Sequence, residues 1–368
     1  MQKIYLSPPH LTGEEGKYFE EVLASGWIAP MGTFIDEFEN QISQKIGAKH
    51  TLATNSGTSA LHLALCCADI RAGDYVLVSS FSFVASANPI LYQNAIPIFV
   101  DSDEKSWNIC PISLEKALIN CQQKQIFPKA LVLTHLYGQA ADMDAVMKIV
   151  EKYNLILIED AAESLGCTWD NQFVGTFGKY GFFSFNGNKI ITTSAGGMLV
   201  LPNENQRKKA LFLATQAKDD APHYQHSEIG YNYRMSNVLA AMGVAQMKFL
   251  DKKIQKKKEI FNFYQQNLSK NIVFMPELEK SKGNRWLTCV LFQNFEQREK
   301  IRQVLNQHNI ESRPLWKPLH LQPLFSKNLY FGENISEKLF EKGLCLPSGT
   351  QINYHELEII IQLINQNC

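Results

Sequence analysis

Four short segments of the chain carry side chains able to do chemistry. In Ser184-Phe-Asn-Gly-Asn-Lys189-Ile-Ile-Thr-Thr-Ser-Ala-Gly-Gly-Met198, Lys189 is the one charged residue. A lysine drawn out of water loses basicity, which leaves a nucleophilic amine suited to Schiff-base chemistry. The ordinary alternative is a lysine that lays its stem on apolar surface and keeps its ammonium in solvent. In Leu157-Ile-Glu-Asp160-Ala-Ala-Glu163-Ser, carboxylates follow an apolar run. Asp160 there could hold a proton on a cofactor nitrogen, or simply cap a helix. Asn55-Ser-Gly-Thr-Ser-Ala-Leu-His62 offers N–H groups at Gly57, Thr58 and Ser59 together with two hydroxyls. That is an anion pocket of the kind that takes a phosphate at a helix start, although an unliganded cap uses the same residue types. Ser80-Phe-Ser-Phe83 adds an aromatic ring, Phe83, that could cover a flat ligand or sit in a core.

All four segments lie where an apolar run ends, and this points to the elements that position them. β-rich runs at 51–54, 75–79, 96–100, 130–134, 155–159, 181–185 and 197–201 alternate with helix-length segments such as 58–67, 113–120 and 143–152. The alternation predicts an α/β fold, a mostly parallel sheet sandwiched by helices. Ligands of such sheets bind beyond the carboxyl ends of the strands. Thr12 with Glu15 reads as a capping box opening a first helix. Thr33 opens a second, with Phe34, Phe38 and Ile42 at spacings of four and Gly47 as its stop. Residues 236–267 read as one long helix striped by Val244, Met247, Leu250, Ile254, Phe261 and Tyr264. Its lysines 252, 253, 256, 257 and 258 read as a solvated face. Short strands at 272–275 and 287–292 then predict a smaller α+β domain. The expected division is 1–250 for a large domain and 251–368 for a small one.

Composition bounds the remaining possibilities. The 368 residues balance 36 Lys+Arg against 36 Asp+Glu, which argues against a bulk electrostatic nucleic-acid binder. No apolar stretch reaches membrane-spanning length, and the first ten residues lack a signal-peptide core. Eight scattered cysteines without a CxxC pair predict reduced thiols in a cytoplasmic protein and no metal site. The dinucleotide, P-loop and zincin signatures are absent.

Taken in order, the segments resemble a known family. Gly26-Trp-Ile28, Asn55-Ser-Gly-Thr-Ser59, Ser82-Phe83, His135-Leu-Tyr-Gly138, Glu159-Asp-Ala-Ala162, Ser184 with Lys189, Gly230-Tyr-Asn-Tyr-Arg234, Arg313-Pro-Leu-Trp316 and Leu346-Pro-Ser348 resemble the DegT/DnrJ/StrS sugar aminotransferases. These are pyridoxal-phosphate enzymes of fold type I, and the likeness spans nearly the whole chain. Leu6-Ser-Pro-Pro-His10, the stretch 184–193, His223-Tyr-Gln-His226 and Arg313-Pro-Leu-Trp-Lys-Pro-Leu-His320 narrow it to a subgroup, the PglE and EpsN type. Its members aminate C4 of UDP-2-acetamido-2,6-dideoxy-4-hexulose on the way to UDP-bacillosamine-type sugars. Ala195 departs from the glycine typical of those relatives.

The resemblance implies roles. Lys189 is the Schiff-base lysine and proton carrier, and Asp160 pairs with the pyridine nitrogen. Phe83 covers one face of the ring. Gly57, Thr58 and Ser184 bind the 5′-phosphate, and Glu163 lies on the O3′ side. Asn232 reaches the phosphate of a partner subunit, so a homodimer with shared sites is expected. Trp27, Ile28, Arg234, Arg313 and His320 are candidates for the sugar and diphosphate. L-glutamate is the expected amine donor and a UDP-linked keto-sugar the acceptor. Other readings are a family member acting on a dTDP-linked or altrosamine-route sugar, a dehydratase, and a non-catalytic regulatory protein. Relatives that are dehydratases carry histidine where Lys189 stands.

Overall fold

The structure, a computed structural model, describes residues 2–368. Its centre is an eight-stranded sheet. Across it run His50–Thr54, Gly197–Leu201, Tyr180–Ser184, Ile156–Asp160, Ala130–Thr134, Tyr75–Ser79, Ile96–Val100 and Tyr330–Phe331. Gly197–Leu201 runs antiparallel to both neighbours, and the other pairings are parallel. The strands are uniformly apolar because both faces are covered. Alternation sends neighbouring residues to opposite cores: Phe183 belongs to the core that holds Phe38, Leu77 and Leu133, and Phe182 to the one that holds Leu52, Val76 and Val132. The carboxyl ends of five strands, at Thr54, Ser79, Thr134, Asp160 and Ser184, therefore share one edge.

The helix Thr33–Ile46 ends as its sequence predicts, at Gly47 with φ 71°. The stretch read as a single helix over 236–267 is two. Asn237–Met247 is apolar on most sides and packs against the two N-terminal helices. Leu250–Asn267 starts anew after Lys248 and Phe249, the latter at φ −111° and ψ 2°. The solvated reading of its lysines also needs correction. Lys253 and Lys257 are 7% and 2% exposed, because they share the inward stripe with Leu250, Ile260, Phe261 and Tyr264.

A second, antiparallel sheet orders Val273–Phe274, Thr288–Leu291, Gly343–Leu346 and Arg313–Pro314. It shares a core with the helices Leu250–Asn267, Phe295–Gln307 and Tyr354–Asn365. The chain crosses between the two sheets at both ends: Ile4 bridges Ile310, and Tyr330–Phe331 pairs with Ile96–Val100. Among the described residues no helix is long and apolar enough to cross a membrane.

Candidate active site

At the carboxyl edge of the large sheet lies a cavity of about 300 Å³, lined by Gly57, Thr58, Phe83, Asp160, Glu163, Ser184 and Lys189 among others. Local sequence explains each placement. Strand alternation at Glu159-Asp160 sends the two carboxylates to opposite faces. Glu159 turns inward, where it accepts from His135 Nε2 at 2.9 Å and from the N–H groups of Gly175, Phe177 and Gly178 at 2.6–2.7 Å. His135 Nδ1 accepts from the Ala141 N–H, which leaves Nε2 as the donor. Asp160 turns to the cavity. Its Oδ1 accepts from the Ala162 N–H at 3.1 Å and its Oδ2 from the Ser86 hydroxyl at 2.6 Å. A hydroxyl chain stands behind Ser86: Thr134 donates to Ser82 at 2.9 Å, and Ser82 meets Ser86 at 2.6 Å.

Lys189 Nζ is 3.8 Å from Glu163 Oε1 and 4.0 Å from the centre of the Trp286 ring. Its side chain is 12% exposed. Burial lowers the lysine's pKa, and Glu163 and Asp160 oppose that. Burial pushes Glu163 up to about 7 against the pull of Lys189, while its Oε2 accepts from the Tyr137 N–H at 2.6 Å. Burial also raises Asp160, opposed by Ser86, Ala162 and Lys189. The amine is thus less basic, and the two carboxyls less acidic, than in water, an arrangement suited to holding and moving protons.

The helix Gly57–Cys67 starts at the cavity wall. Ser56 caps it by accepting from the Ser59 N–H, so the N–H groups at Gly57 and Thr58 precede the helical hydrogen-bond pattern. Here glycine is required by space. A Cβ at Gly57 would come within 3.0 Å of Ser184 Cβ, and one at Gly197 within 2.5 Å of the Ser56 backbone.

The remaining predicted residues lie elsewhere in this single chain. Asn232 is outside the cavity lining; its carbonyl accepts from Asn55 Nδ2 at 2.9 Å, and flanking Tyr231 and Tyr233 stack on each other beside His62. Trp27 and Ile28 are 53% and 57% exposed between the first two helices. Arg234 is held by the Glu39 carboxylate and the Ala53 carbonyl. His320 stacks on Tyr330 and bonds Ser80 Oγ at 2.6 Å. Arg313 pairs with Glu311 on the rim of an adjoining cavity of about 350 Å³, which shares Asn188, Trp286 and Trp316 with the first.

Two wall residues, Ser86 and Trp286, were not singled out from sequence, while Tyr137 and Trp316 entered only within the segments that carry the resemblance, with no role of their own. Tyr137, at φ 49°, lies between Trp286 and Trp316 with interplanar angles of 19° and 11°. A non-glycine residue in that conformation is unusual, but nothing in the sequence marks it. The tryptophans are too far along the chain for spacing to link them to Lys189.

The site fits pyridoxal phosphate. Two backbone N–H groups and the Thr58 and Ser184 hydroxyls suit its phosphate, Asp160 its ring nitrogen, and Lys189 its carbonyl carbon. Residues 9–365 match the DegT/DnrJ/EryC1/StrS aminotransferase family. The chain is 47% identical over 369 residues to "Putative pyridoxal phosphate-dependent aminotransferase EpsN" of Bacillus subtilis (strain 168), covering 99% of this chain and 95% of that protein. It is 36% identical over 366 residues to the GDP-perosamine synthase of Escherichia coli O157:H7, covering 100% and 99%. Among solved structures, Helicobacter pylori PseC, an aminotransferase involved in the biosynthesis of pseudoaminic acid, aligns with a TM-score of 0.91 at 26% identity, covering 100% of this chain and 99% of that one. The chain thus belongs to the DegT/DnrJ/EryC1/StrS aminotransferase family, as a sugar aminotransferase whose cofactor is pyridoxal phosphate.

Proposed function

We propose that the protein transfers the amino group of L-glutamate to C4 of UDP-2-acetamido-2,6-dideoxy-α-D-xylo-hexos-4-ulose, giving UDP-4-amino-4,6-dideoxy-N-acetylglucosamine. One observation carries the reading: a buried lysine, two buried carboxyls and a helix N-terminus meet in a single cavity. The choice of a UDP sugar is supported by the segments shared with the bacillosamine subgroup. Three of the four contribute walls to the two adjoining cavities, through Leu6, Pro8 and Pro9, through Asn188 and Lys189, and through Arg313 and Trp316.

When bound, pyridoxal phosphate supplies an electron sink for the electron pair left as a proton leaves carbon. Lys189, its basicity lowered, would be the amine that takes up that proton and delivers it to the carbon on the other side of the shared nitrogen. Asp160, fixed by Ser86 and Ala162, keeps the ring nitrogen protonated. The Gly57 and Thr58 N–H groups, with the Thr58 and Ser184 hydroxyls, hold the phosphate. Phe83 would cover one ring face and Glu163 would lie on the O3′ side, both lining the cavity. A second copy of the chain would bring Asn232 to the phosphate, and the exposed Trp27 and Ile28 remain candidates for the sugar side. Of the diphosphate candidates, Arg313 has the most open guanidinium, while Arg234 and His320 are engaged by neighbouring side chains.

A GDP-linked keto-sugar is the second reading, favoured by the full-length likeness to a GDP-perosamine synthase. The test is the visible absorbance of the loaded enzyme, first with L-glutamate and then with each keto-sugar. Bleaching by glutamate and recovery with the UDP sugar is the expected result. Recovery only with the GDP sugar selects the second reading, and no bleaching removes glutamate as donor.

A further inference from the structure

Near this site the chain buries a second lysine that the reaction leaves unused. Lys257 Nζ meets three oxygens and no carboxylate: the carbonyls of Trp286 and Ser348, each at 2.8 Å, and the Ser7 hydroxyl at 3.2 Å. An ammonium donates to all three. A free amine donates to the two carbonyls and accepts from the hydroxyl, so both charge states are satisfied. The charged neighbour facing it is Lys253, one turn earlier on the same helix, which donates to the carbonyl of His10 at 2.8 Å.

Two of the three contacts lead to Lys189. Trp286, whose carbonyl Lys257 holds, lays its indole over Lys189 Nζ. The indole Nε1 donates at 2.7 Å to the carbonyl of Asn188, the residue before Lys189. The Ser7 hydroxyl lies 3.4 Å from that same carbonyl. Trp286 is thus fixed from behind by Lys257 and at its edge by Asn188. It also stacks against Tyr137, whose N–H binds Glu163. Removing the amine would leave two carbonyls inside the protein without this donor.

We propose that Lys257 is a positioning residue of the active site: its amine anchors the Trp286 backbone and so holds the indole against Lys189. The consequence for catalysis rests on Lys189 being the reactive amine; the anchoring itself is read without cofactor. The experiment compares tryptophan emission and acrylamide quenching of cofactor-free protein for Lys257→Met and Lys257→Gln. Both are made in the wild-type chain and on a Trp286→Phe background. Lys257→Met is expected to red-shift the emission and raise quenching about twofold. Lys257→Gln, too short to reach both carbonyls, gives the same change at about half the size. Neither change is expected without Trp286. In loaded enzyme, Lys257→Met lowers kcat about tenfold with KM for L-glutamate within twofold. Wild-type emission in both variants overturns the proposal. So does a change that persists on the Trp286→Phe background, since it then reports general loosening. If Lys257→Met fails to fold, Lys257→Gln decides alone by the same two criteria. If Lys189→Ala retained activity, the reading of Lys189 would fall while the emission result stood.

Discussion

Lys189 and Lys257 are both buried lysines with depressed basicity, yet they face opposite surroundings. Lys189 ends in a cavity, 3.8 Å from one carboxyl and with a second beside it. Lys257 ends among three neutral oxygens and lines neither of the two adjoining cavities. Burial alone therefore does not mark a reactive amine. What distinguishes the two is unfilled valence. Lys189 has carboxyls and open space that a ligand can complete, whereas the hydrogen bonds of Lys257 are already complete.

The sharpest way to break this contrast is to remove each amine in turn. Lys189→Ala is expected to lower turnover with L-glutamate by 10³-fold or more, at the upper end of what a single proton-transferring group supplies. The cofactor-free variant should be as stable as the wild type, because a buried amine and its desolvation are removed together. Steady-state kinetics and urea unfolding measure the two. Lys257→Met should show the reverse emphasis. It loses about 2–4 kcal/mol of stability, the scale of two buried carbonyls left without a donor, with only the tenfold effect on turnover. Equal stability losses in the two variants would erase the distinction.

The sequence reveals one lysine and hides the other for a physical reason. Lys189 stands alone in an uncharged run after a strand, so its burial is legible. Lys257 stands in Leu-Asp-Lys-Lys-Ile-Gln-Lys-Lys-Lys-Glu, where charge density suggests solvent. Helical spacing held the missing signal: 250, 253, 257, 260, 261 and 264 continue one stripe at steps of three and four. Seven strands of the large sheet were legible to within a residue because strands buried on both faces are uninterrupted apolar runs, whereas the two-residue Tyr330–Phe331 of the same sheet and Gly343–Leu346 of the small one were not foreseen. The helix break between Met247 and Leu250 was not, since no glycine or proline marks it. Glu39 could not be foreseen either. It binds Arg207 and Arg234, partners 168 and 195 residues away, and so engages an arginine that the resemblance offers to the substrate.

A pH series sharpens the comparison further, because Lys257 and the neighbour of Lys189, Glu163, are displaced in opposite senses. Burial lowers Lys257 from 10.5 to about 7. Between those values the unfolded chain binds a proton that the folded chain lacks. Its contribution to stability therefore grows as pH rises across that window, and is lost as pH falls through 7. Burial raises Glu163 from 4.5 to about 7, so there the folded chain holds the extra proton. Its contribution is full below 4.5 and is lost as pH rises through 7. Each group contributes a slope of at most about 1.4 kcal/mol per pH unit. Urea unfolding of cofactor-free protein should show Lys257→Met flattening the alkaline limb and Glu163→Gln the acid limb. Lys253, lowered to about 8, keeps part of the alkaline slope in the first variant. A Lys257→Met curve parallel to the wild type above pH 7 would mean that the amine stays charged in its carbonyl cage.

The smallest effect tests whether position on the helix, rather than lysine density, carries the argument. Lys252 is adjacent to Lys253 and five residues from Lys257, within the same charged run. It sits about 100° around the helix from the inward stripe, exposed, with its Nζ 5.4 Å from the Phe249 ring. Exposed cation–aromatic contacts of this kind contribute about 0.5–1 kcal/mol at best, and a methionine stem retains much of the packing. Lys252→Met should therefore change stability by less than about 0.5 kcal/mol, leave the pH limbs of the wild type in place, and leave Trp286 emission unaltered. If instead it matched Lys257→Met in any of the three, the effect of Lys257 would belong to the charge of the whole helix rather than to its three oxygens. The anchor on Trp286 would then lose its support.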